Sequence, residues 1–450
     1  MKTSKKQKTT KLALCAGAAA LASLTPQAHA QSSSDSLINK LEQKGILTSD
    51  EAKQLRVESQ QDFNNSLTNN MDKAFGAMTG MPSWVTGYKI SGDFRGRVDD
   101  MTGNSALTDR LRFRYRLRVG LQMTFKDDMQ VGFQIASDEP QGNNDTGNPL
   151  SNNTTLSQNG SKKMLYIDQA YAKWTPVNND TWMGSGTIGK MSNPFQQNPS
   201  VMVWDPDYTP EGAALQGKYH MSDNQSIDFT GAAFVADEVK GSASDPFILG
   251  AQAIWNGNWT KQMATALGVS YYNIVNVHEL GTAYDGNTGN TLNGAGGTGS
   301  YAESFHPVVV SGYGTYKLDS FPLYQGAFPI MPFGDYMNNS GASSNNEGWD
   351  VGVKFGKAGK KGNWDIAYRY QRLEADAWWD QVVNDDNIAF KPGTGVVSGT
   401  NIKGHAVQFN YSILDSLTFT FTGYFNNLVN NTSPNSSSAM HLMADLMWKF

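Results

Sequence analysis

The segment Arg110-Leu111-Arg112-Phe113-Arg114-Tyr115-Arg116-Leu117-Arg118 constrains what this chain can fold into more than any other. It lies in a longer run, residues 108–126, whose even positions continue as Gly120, Gln122 and Thr124 and whose odd positions continue as Val119, Leu121, Met123 and Phe125. A period of two gives a β-strand with one basic and one apolar face. A soluble sandwich can bury one such face, but it rarely needs so long a strand or sets five arginines in line on a flat exterior. A membrane-spanning barrel strand needs both features, the length and an apolar outside around a polar inside.

The N-terminus places the chain outside the cytoplasm. Lys2, Lys5, Lys6, Lys8 and Lys11 precede an apolar run over residues 12–21 and the small-residue pattern Ala28-His29-Ala30. Residues 1–30 therefore read as a Sec-type signal peptide cleaved after Ala30. Cys15, the only cysteine, leaves with it, and the preceding Leu12-Ala13-Leu14 lacks the small residue of a lipoprotein site. The mature chain then has no disulfide framework and no cysteine metal site. Loss of five lysines takes the formal net charge from −5 to −10, which argues against a nucleic-acid partner. No later run reaches the roughly 18 apolar residues of a helical span. The negative mean hydropathy suits a barrel, because half of each strand and all the loops are polar. With 45 Gly, 21 Phe, 18 Tyr and 11 Trp, the composition fits many strands, many turns and aromatic belts.

Residues 31–85 read as a short periplasmic helical segment and linker. Leu37, Ile38 and Leu41 share a helix face and Gly45 fits a helix stop. Thr48 with Glu51 forms a capping box for a second helix, and Leu67, Met71, Ala74 and Met78 make a short heptad-like seam. Three roles stay open: a hairpin packed on itself or on the barrel mouth, a coiled coil joining subunits, or a contact with the cell wall or a partner through residues 36–78.

From residue 86 to 450 the alternation and turn signals give an all-β transmembrane barrel of about 16 antiparallel strands. Short turns, such as Lys126-Asp127-Asp128, alternate with long polar loops over residues 138–162, 192–211, 276–303 and 374–403. The strand expected over 323–336 is weakened by Pro329 and Pro332. With loop 1 centred at Gly103-Asn104, Arg95 faces Arg112 and Arg97 faces Arg110, a like-charge opposition that calls for water, anions or a carboxylate loop. In the last strand Leu442, Ala444, Leu446, Trp448 and Phe450 form an apolar face, and the chain ends on that aromatic. Such an ending, above all Leu446, Trp448 and Phe450, resembles the signal read by the outer-membrane barrel assembly machinery.

The fifth strand ends in Gly189-Lys190-Met191-Ser192-Asn193-Pro194-Phe195, and the next loop carries Trp204-Asp205-Pro206-Asp207-Tyr208-Thr209-Pro210-Glu211-Gly212. Here the chain resembles Gram-negative outer-membrane porins, and more narrowly a putative-porin family with an N-terminal helical segment. The resemblance implies a homotrimer in the cell outer membrane, amid lipid and lipopolysaccharide, whose loop near 192–211 folds into the lumen as a constriction. It implies that Asp205, Asp207 and Glu211 sit near the narrowest point, facing a wall of Arg95, Arg97, Arg110, Arg112, Arg114, Arg116 and Arg118. Arg110 to Arg118 covers ~27 Å of strand, or ~19 Å of depth at ~45° tilt, so only Arg112, Arg114 and Arg116 are expected at one level. An arginine wall opposite carboxylates sets up a transverse field that orients dipolar solutes and resists apolar ones. Alternatively, the arginines pair with nearby acids, Asp93 and Asp99 among them, and tile the wall.

The expected function is a water-filled channel for passive diffusion of small hydrophilic solutes, not an enzyme. An anion-selective pore for phosphate or carboxylates is the competing reading, followed by a barrel-embedded enzyme and a surface adhesin. No catalytic, metal or cofactor site is expected: His220, His278, His306, His405 and His441 lack metal spacing, and nucleophile-elbow and His-Glu-x-x-His motifs are absent. Trp378-Trp379 reads as a loop or membrane-interface anchor in preference to a ligand-stacking platform.

Overall fold

The computed structural model describes residues 38, 40–42, 44, 51–52, 55, 82, 84–103, 109–140, 146–195, 200–241, 243–280, 288–294 and 299–450. Contacts divide the chain into two units, residues 1–87 and 88–450. In the first, Ile38, Lys40, Leu41 and Glu42 are helical, as are Glu51, Ala52 and Leu55, and the Lys44 amide donates to the Lys40 carbonyl at 3.1 Å. The signal peptide and the seam from Leu67 to Met78 lie outside the described residues.

The second unit is a closed antiparallel barrel. Its long strands are β1 (Val85–Gly103), β2 (Arg110–Phe125), β3 (Met129–Asp138), β5 (Met164–Asn178), β6 (Trp182–Lys190), β7 (Glu211–Ser222), β8 (Gln225–Val235) and β9 (Phe247–Asn258). They continue with β10 (Met263–Val275), β11 (Pro307–Leu318), β12 (Phe328–Asn339), β13 (Glu347–Gly356), β14 (Trp364–Leu373), β17 (Ile402–Leu414), β18 (Leu417–Leu428) and β19 (Ala439–Lys449). Sixteen strands pair with their sequence neighbours, and β19 returns to β1 to close the sheet. Three short strands belong to loops: β4 (Thr154–Thr155), which borrows the edge of β2 at Arg114 and Tyr115, and the hairpin of β15 (Ala389–Lys391) and β16 (Gly395–Val397). No helix among the described residues is long and apolar enough to cross a membrane.

The faces follow from the period of two. On β2 the odd positions are outward, with Leu111 and Phe113 more than half exposed, while Arg116 is buried on the inward side. Asp127 and Asp128 take left-handed backbone, which asparagine and aspartate adopt more readily than most residues, and Thr124 then pairs with Gln130 as that turn requires. Tight turns such as 126–128 and 415–416 sit at one end of the barrel, and the long loops at the other. The strand with two prolines is shifted from its expected bounds: β12 begins at Phe328, after a turn in which Leu323 is left-handed. Its ladder with β11 jumps from Tyr313–Phe333 to Tyr316–Ile330, so Pro332, which has no N–H, sits in the gap.

The chain terminus seals the seam. Gly92 and Phe450 exchange backbone hydrogen bonds of 2.8 and 3.1 Å. A Cβ at Gly92 would lie 2.6 Å from the Phe450 ring and 2.3 Å from the Arg118 carbonyl oxygen, so the closing strand approaches only because Gly92 has no side chain. Gly92→Val is expected to cost about 1–3 kcal/mol by overpacking. It should lower the fraction of barrel that stays compact on an unheated SDS gel, and a fraction equal to wild type would show that closure tolerates a side chain there.

Candidate functional site

The inward row of β1 reads Asp93, Arg95, Arg97, Asp99, and that of β2 reads Arg112, Arg114, Arg116, Arg118. The expected opposition of Arg95 to Arg112 and Arg97 to Arg110 does not occur. β1 runs on to Gly103 and β2 begins at Arg110, so the centre of the link lies past Gly103-Asn104, and β2 is displaced so that carboxylates meet arginines. Arg112 Nη2 reaches Asp99 Oδ2 at 2.6 Å, with Arg114 Nη1 at 3.5 Å from the same oxygen. Arg116 Nε donates to Asp93 Oδ1 at 3.0 Å and Arg118 Nη2 lies 2.7 Å from Asp93 Oδ2. Across the seam, Arg97 Nε and Nη2 grip Asp445 of β19 at 2.8 and 3.0 Å, while Arg95 Nη2 donates to Asn153 at 2.7 Å. Arg110 is exposed at the start of β2, apart from these contacts.

The loop after β6, residues 191–210, turns into the lumen because it is apolar at its root. Phe195, Met202, Val203, Trp204 and Tyr208 are buried against Tyr272 and Ile274 of β10. Trp204 stacks on Tyr208 at 5.6 Å and meets Tyr272 edge-on at 5.2 Å. With that root fixed, Asp207 extends to the arginine strand: its Oδ1 accepts from Arg116 Nη1 and Arg118 Nη1, both at 3.1 Å. The level where loop meets wall is thus Arg116 and Arg118, one step along from the expected Arg112–Arg116 group. Asp205 is buried and makes no arginine contact; its amide donates to the Val382 carbonyl at 2.7 Å. Glu211 departs from expectation. It opens β7 on the outward row, exposed and 3.1 Å from Lys190 Nζ, because β7 has begun and the parity at 211 points away from the lumen.

A second inward loop, residues 374–401, was not legible as such. Trp378 and Trp379 are buried beside Trp204, Tyr272 and Phe305, so they anchor the loop from within the barrel and not at a membrane interface. The loop is pinned to the wall at Asp386, whose carboxylate accepts from Arg97 Nη1 at 3.3 Å and whose carbonyl lies 2.8 Å from His441 Nδ1. His441 Nε2 contacts Asp99 at 2.8 Å, so this histidine ties β1, β19 and the loop together. The only sequence signal for that loop was its aromatic content, which an external anchor would share.

Where the two loops meet, four carboxyl groups share one region, and their neighbours set them apart. Burial, with Asp385 and Asp207 close by, pushes the Asp205 carboxyl well above the usual range. Burial followed by the charge of Asp386 lifts Asp385 to about 7. Burial alone would raise Asp207 as well, but Arg116 and Arg118 outweigh it and hold the group low. Asp386 is likewise held below the carboxylate range by Arg97 and His441. Between these loops and the far wall lies a cavity of about 1190 Å³. Its lining passes from Arg95, Arg97, Arg116 and Arg118 to the uncharged Gln408 and Thr422. Among the described residues no group of three or more histidine, cysteine or acidic side chains is arranged to hold a metal ion.

Residues 101–291 match a sequence model of the family described as "Putative porin". Among solved structures, Pseudomonas putida OprB aligns with a TM-score of 0.51 at 14% identity, over 81% of this chain and 94% of that one. The fold is that of a porin. A Rhodopseudomonas blastica porin variant aligns at 0.42 and 8% identity, over 81% and 100% of the two chains. A loop-deleted form of OmpT, an outer membrane protein of Vibrio cholerae, aligns at 0.44 and 10%, over 81% and 99%. No curated protein matches the sequence.

Among the described residues, Asp207 is the side chain through which the first inward loop grips the arginine strand. Asp207→Ala leaves Arg116 and Arg118 without one carboxylate each. Removing one partner of a buried pair costs 3–5 kcal/mol, and about 2 kcal/mol is expected here because Arg118 keeps 24% exposure and water can replace the acid. Limited proteolysis of folded protein should cut within residues 191–210 faster than in wild type, with β-sheet content unchanged by circular dichroism.

Proposed function

We propose that this chain is an outer-membrane porin through which small hydrophilic solutes diffuse passively. One observation carries the reading: inside a closed 16-strand barrel, a loop carboxylate reaches the arginine wall and leaves a cavity of about 1190 Å³ beside it. Eight strands would leave an interior filled by side chains, whereas sixteen leave room for water. The match to the porin family over residues 101–291 supports the same reading. The paired charges share the lumen with amides, hydroxyls and the cations Lys354 and Arg369, so a dipolar solute exchanges its water for polar groups, while an apolar one loses water for nothing. The molecule acts as a channel rather than an enzyme. Its Leu446, Trp448 and Phe450 suit recognition by the barrel assembly machinery, its apolar belt suits lipid and lipopolysaccharide, and a homotrimer is the assembly expected of it. Residues 36–78 suit a helical hairpin packed on itself or on the barrel mouth, a coiled coil joining subunits, or a contact with the cell wall or a partner.

The charge pairing bears on selectivity. Asp93, Asp99, Asp207, Asp386 and Asp445 together offset Arg97, Arg112, Arg114, Arg116 and Arg118. With Arg95, 3.9 Å from the Asp445 that Arg97 grips, and the exposed Arg110 outside this pairing, the wall supports weak selectivity over a strong anion track. Purified protein in planar bilayers should give stable ohmic steps and, in a salt gradient, a permeability ratio for K⁺ and Cl⁻ within about threefold of unity. Absence of conductance would reject the channel, and a ratio far beyond that range would favour the selective pore.

The meeting point of the loops adds a pH dependence. Asp385, lifted to about 7, is neutral below that value and negative above it. Raising the pH from about 5.5 to about 8.5 should therefore shift the reversal potential toward cations. In Asp385→Asn that shift should shrink, because the group that titrates in the interval is gone.

A further inference from the structure

Three arginines among the described residues are buried: Arg97, Arg116 and Arg369. Arg97 and Arg116 bind carboxylates. Arg369, in the middle of β14 and nine-tenths buried, makes no ion pair and no hydrogen bond with a described residue; the ring of Tyr424 lies 5.9 Å from its guanidinium carbon, and its charge reaches Asp335 and Asp350 only at longer range. A buried cation without a carboxylate is costly unless water or a counter-ion reaches it. Arg369 has that access, since it lines the lumen cavity.

The surrounding register keeps its donors open. Arg369 pairs with Gly352 of β13 on one side and with Ala406 of β17 on the other, and Ala406 pairs with Tyr424 of β18. A Cβ at Gly352 would fall 2.4 Å from the Phe333 ring and 2.9 Å from the Arg369 Cβ, so no larger side chain fits there. Small residues on both flanks leave the guanidinium lying across Ala406 toward Tyr424, with nothing beside it to accept its hydrogen bonds. The Asp350 carboxylate is engaged elsewhere, accepting from the Asp335 backbone amide at 3.0 Å and from Ser200 Oγ at 2.8 Å. Lys354, the nearest other inward cation on β13, is 3.4 Å from Asp365. A guanidinium offers a planar pair of donors that matches two oxygens of a carboxylate or phosphate.

We propose that Arg369, with Tyr424 beneath it and Ala406 beside it, is the lumen's binding position for solutes bearing a carboxylate or phosphate group, and that it sets the residual anion preference of the pore. The proposal rests on the channel reading above. It places the anion contact on β14, outside the ion-paired arginines of β1 and β2.

The full-length protein in planar bilayers tests it, with succinate as the probe. Arg369→Gln should weaken block of the K⁺/Cl⁻ current by succinate at least about threefold and shift the reversal potential toward cations. Arg369→Lys should retain the reversal potential but lose part of the block, since an ammonium keeps the charge without the two-pronged geometry. Ala406→Leu, which keeps the charge and fills the space beside it, should weaken block with little change in reversal potential. It gives an independent result if Arg369→Gln fails to fold. Conductance retained with succinate block unchanged in Arg369→Gln or in Ala406→Leu overturns the proposal while leaving the channel intact. Wild-type protein that conducts nothing overturns both.

Discussion

A backbone amide in hydrocarbon finds no water, so each N–H and C=O across the bilayer must be matched within the protein. For a strand this means a neighbour on both sides, and the only arrangement without an edge is a closed sheet. The pairing of β19 with β1, completed by the exchange between Gly92 and Phe450, is what the rest of the molecule depends on. Once the sheet closes, its period of two separates an apolar outside from a polar inside. The inside then has to accommodate charges that no lipid-facing surface would tolerate.

How those charges are accommodated follows from register. Asp93 and Asp99 are six residues apart on β1, and the link over 104–109 sets β2 so that each acid spans two arginines. Asp445 and Asp386 do the same for Arg97 from the other side. Like charges directly opposite would strain the ladder, whereas a lattice of alternating sign stabilises it and leaves little net field along the strand. The arginine strand is therefore as much a structural element as a selective one. Any net preference must come from groups outside the lattice.

The barrel was legible in the sequence because period-two alternation is a local property. The expected strand over 364–373 coincides with β14, and that over 417–428 with β18. Where expectation slipped, it did so at strand ends, which alternation does not report: β12 begins at Phe328, after a turn in which Leu323 is left-handed, and β1 runs on to Gly103 before β2 begins at Arg110. The lumen was less legible. Nothing in the order of residues reveals that Trp204 and Trp378 will meet at 5.4 Å across more than 170 positions, or that His441 will touch Asp99. Parity identified which arginines face inward, but pairing is a property of register and of loops, and both are fixed only when the sheet closes. Glu211 illustrates the limit, since β7 begins at Glu211 and not at Ala213, which takes Glu211 out of the loop and onto the outward row.

The two inward loops owe their position to aromatic packing rather than to charge. Phe195, Trp204, Trp378 and Tyr272 form a core on the side of the barrel away from the arginine strand, and the loop carboxylates extend from that core toward it. Burial of such rings contributes through area and contact, and depends little on salt or pH. The ion pairs at the tips of the loops are worth less and respond to both. This division lets the electrostatics of the pore vary while its shape persists. A loop held only by its carboxylates would move whenever they titrated, whereas one rooted in tryptophan can present Asp205 and Asp385 in either protonation state at the same place.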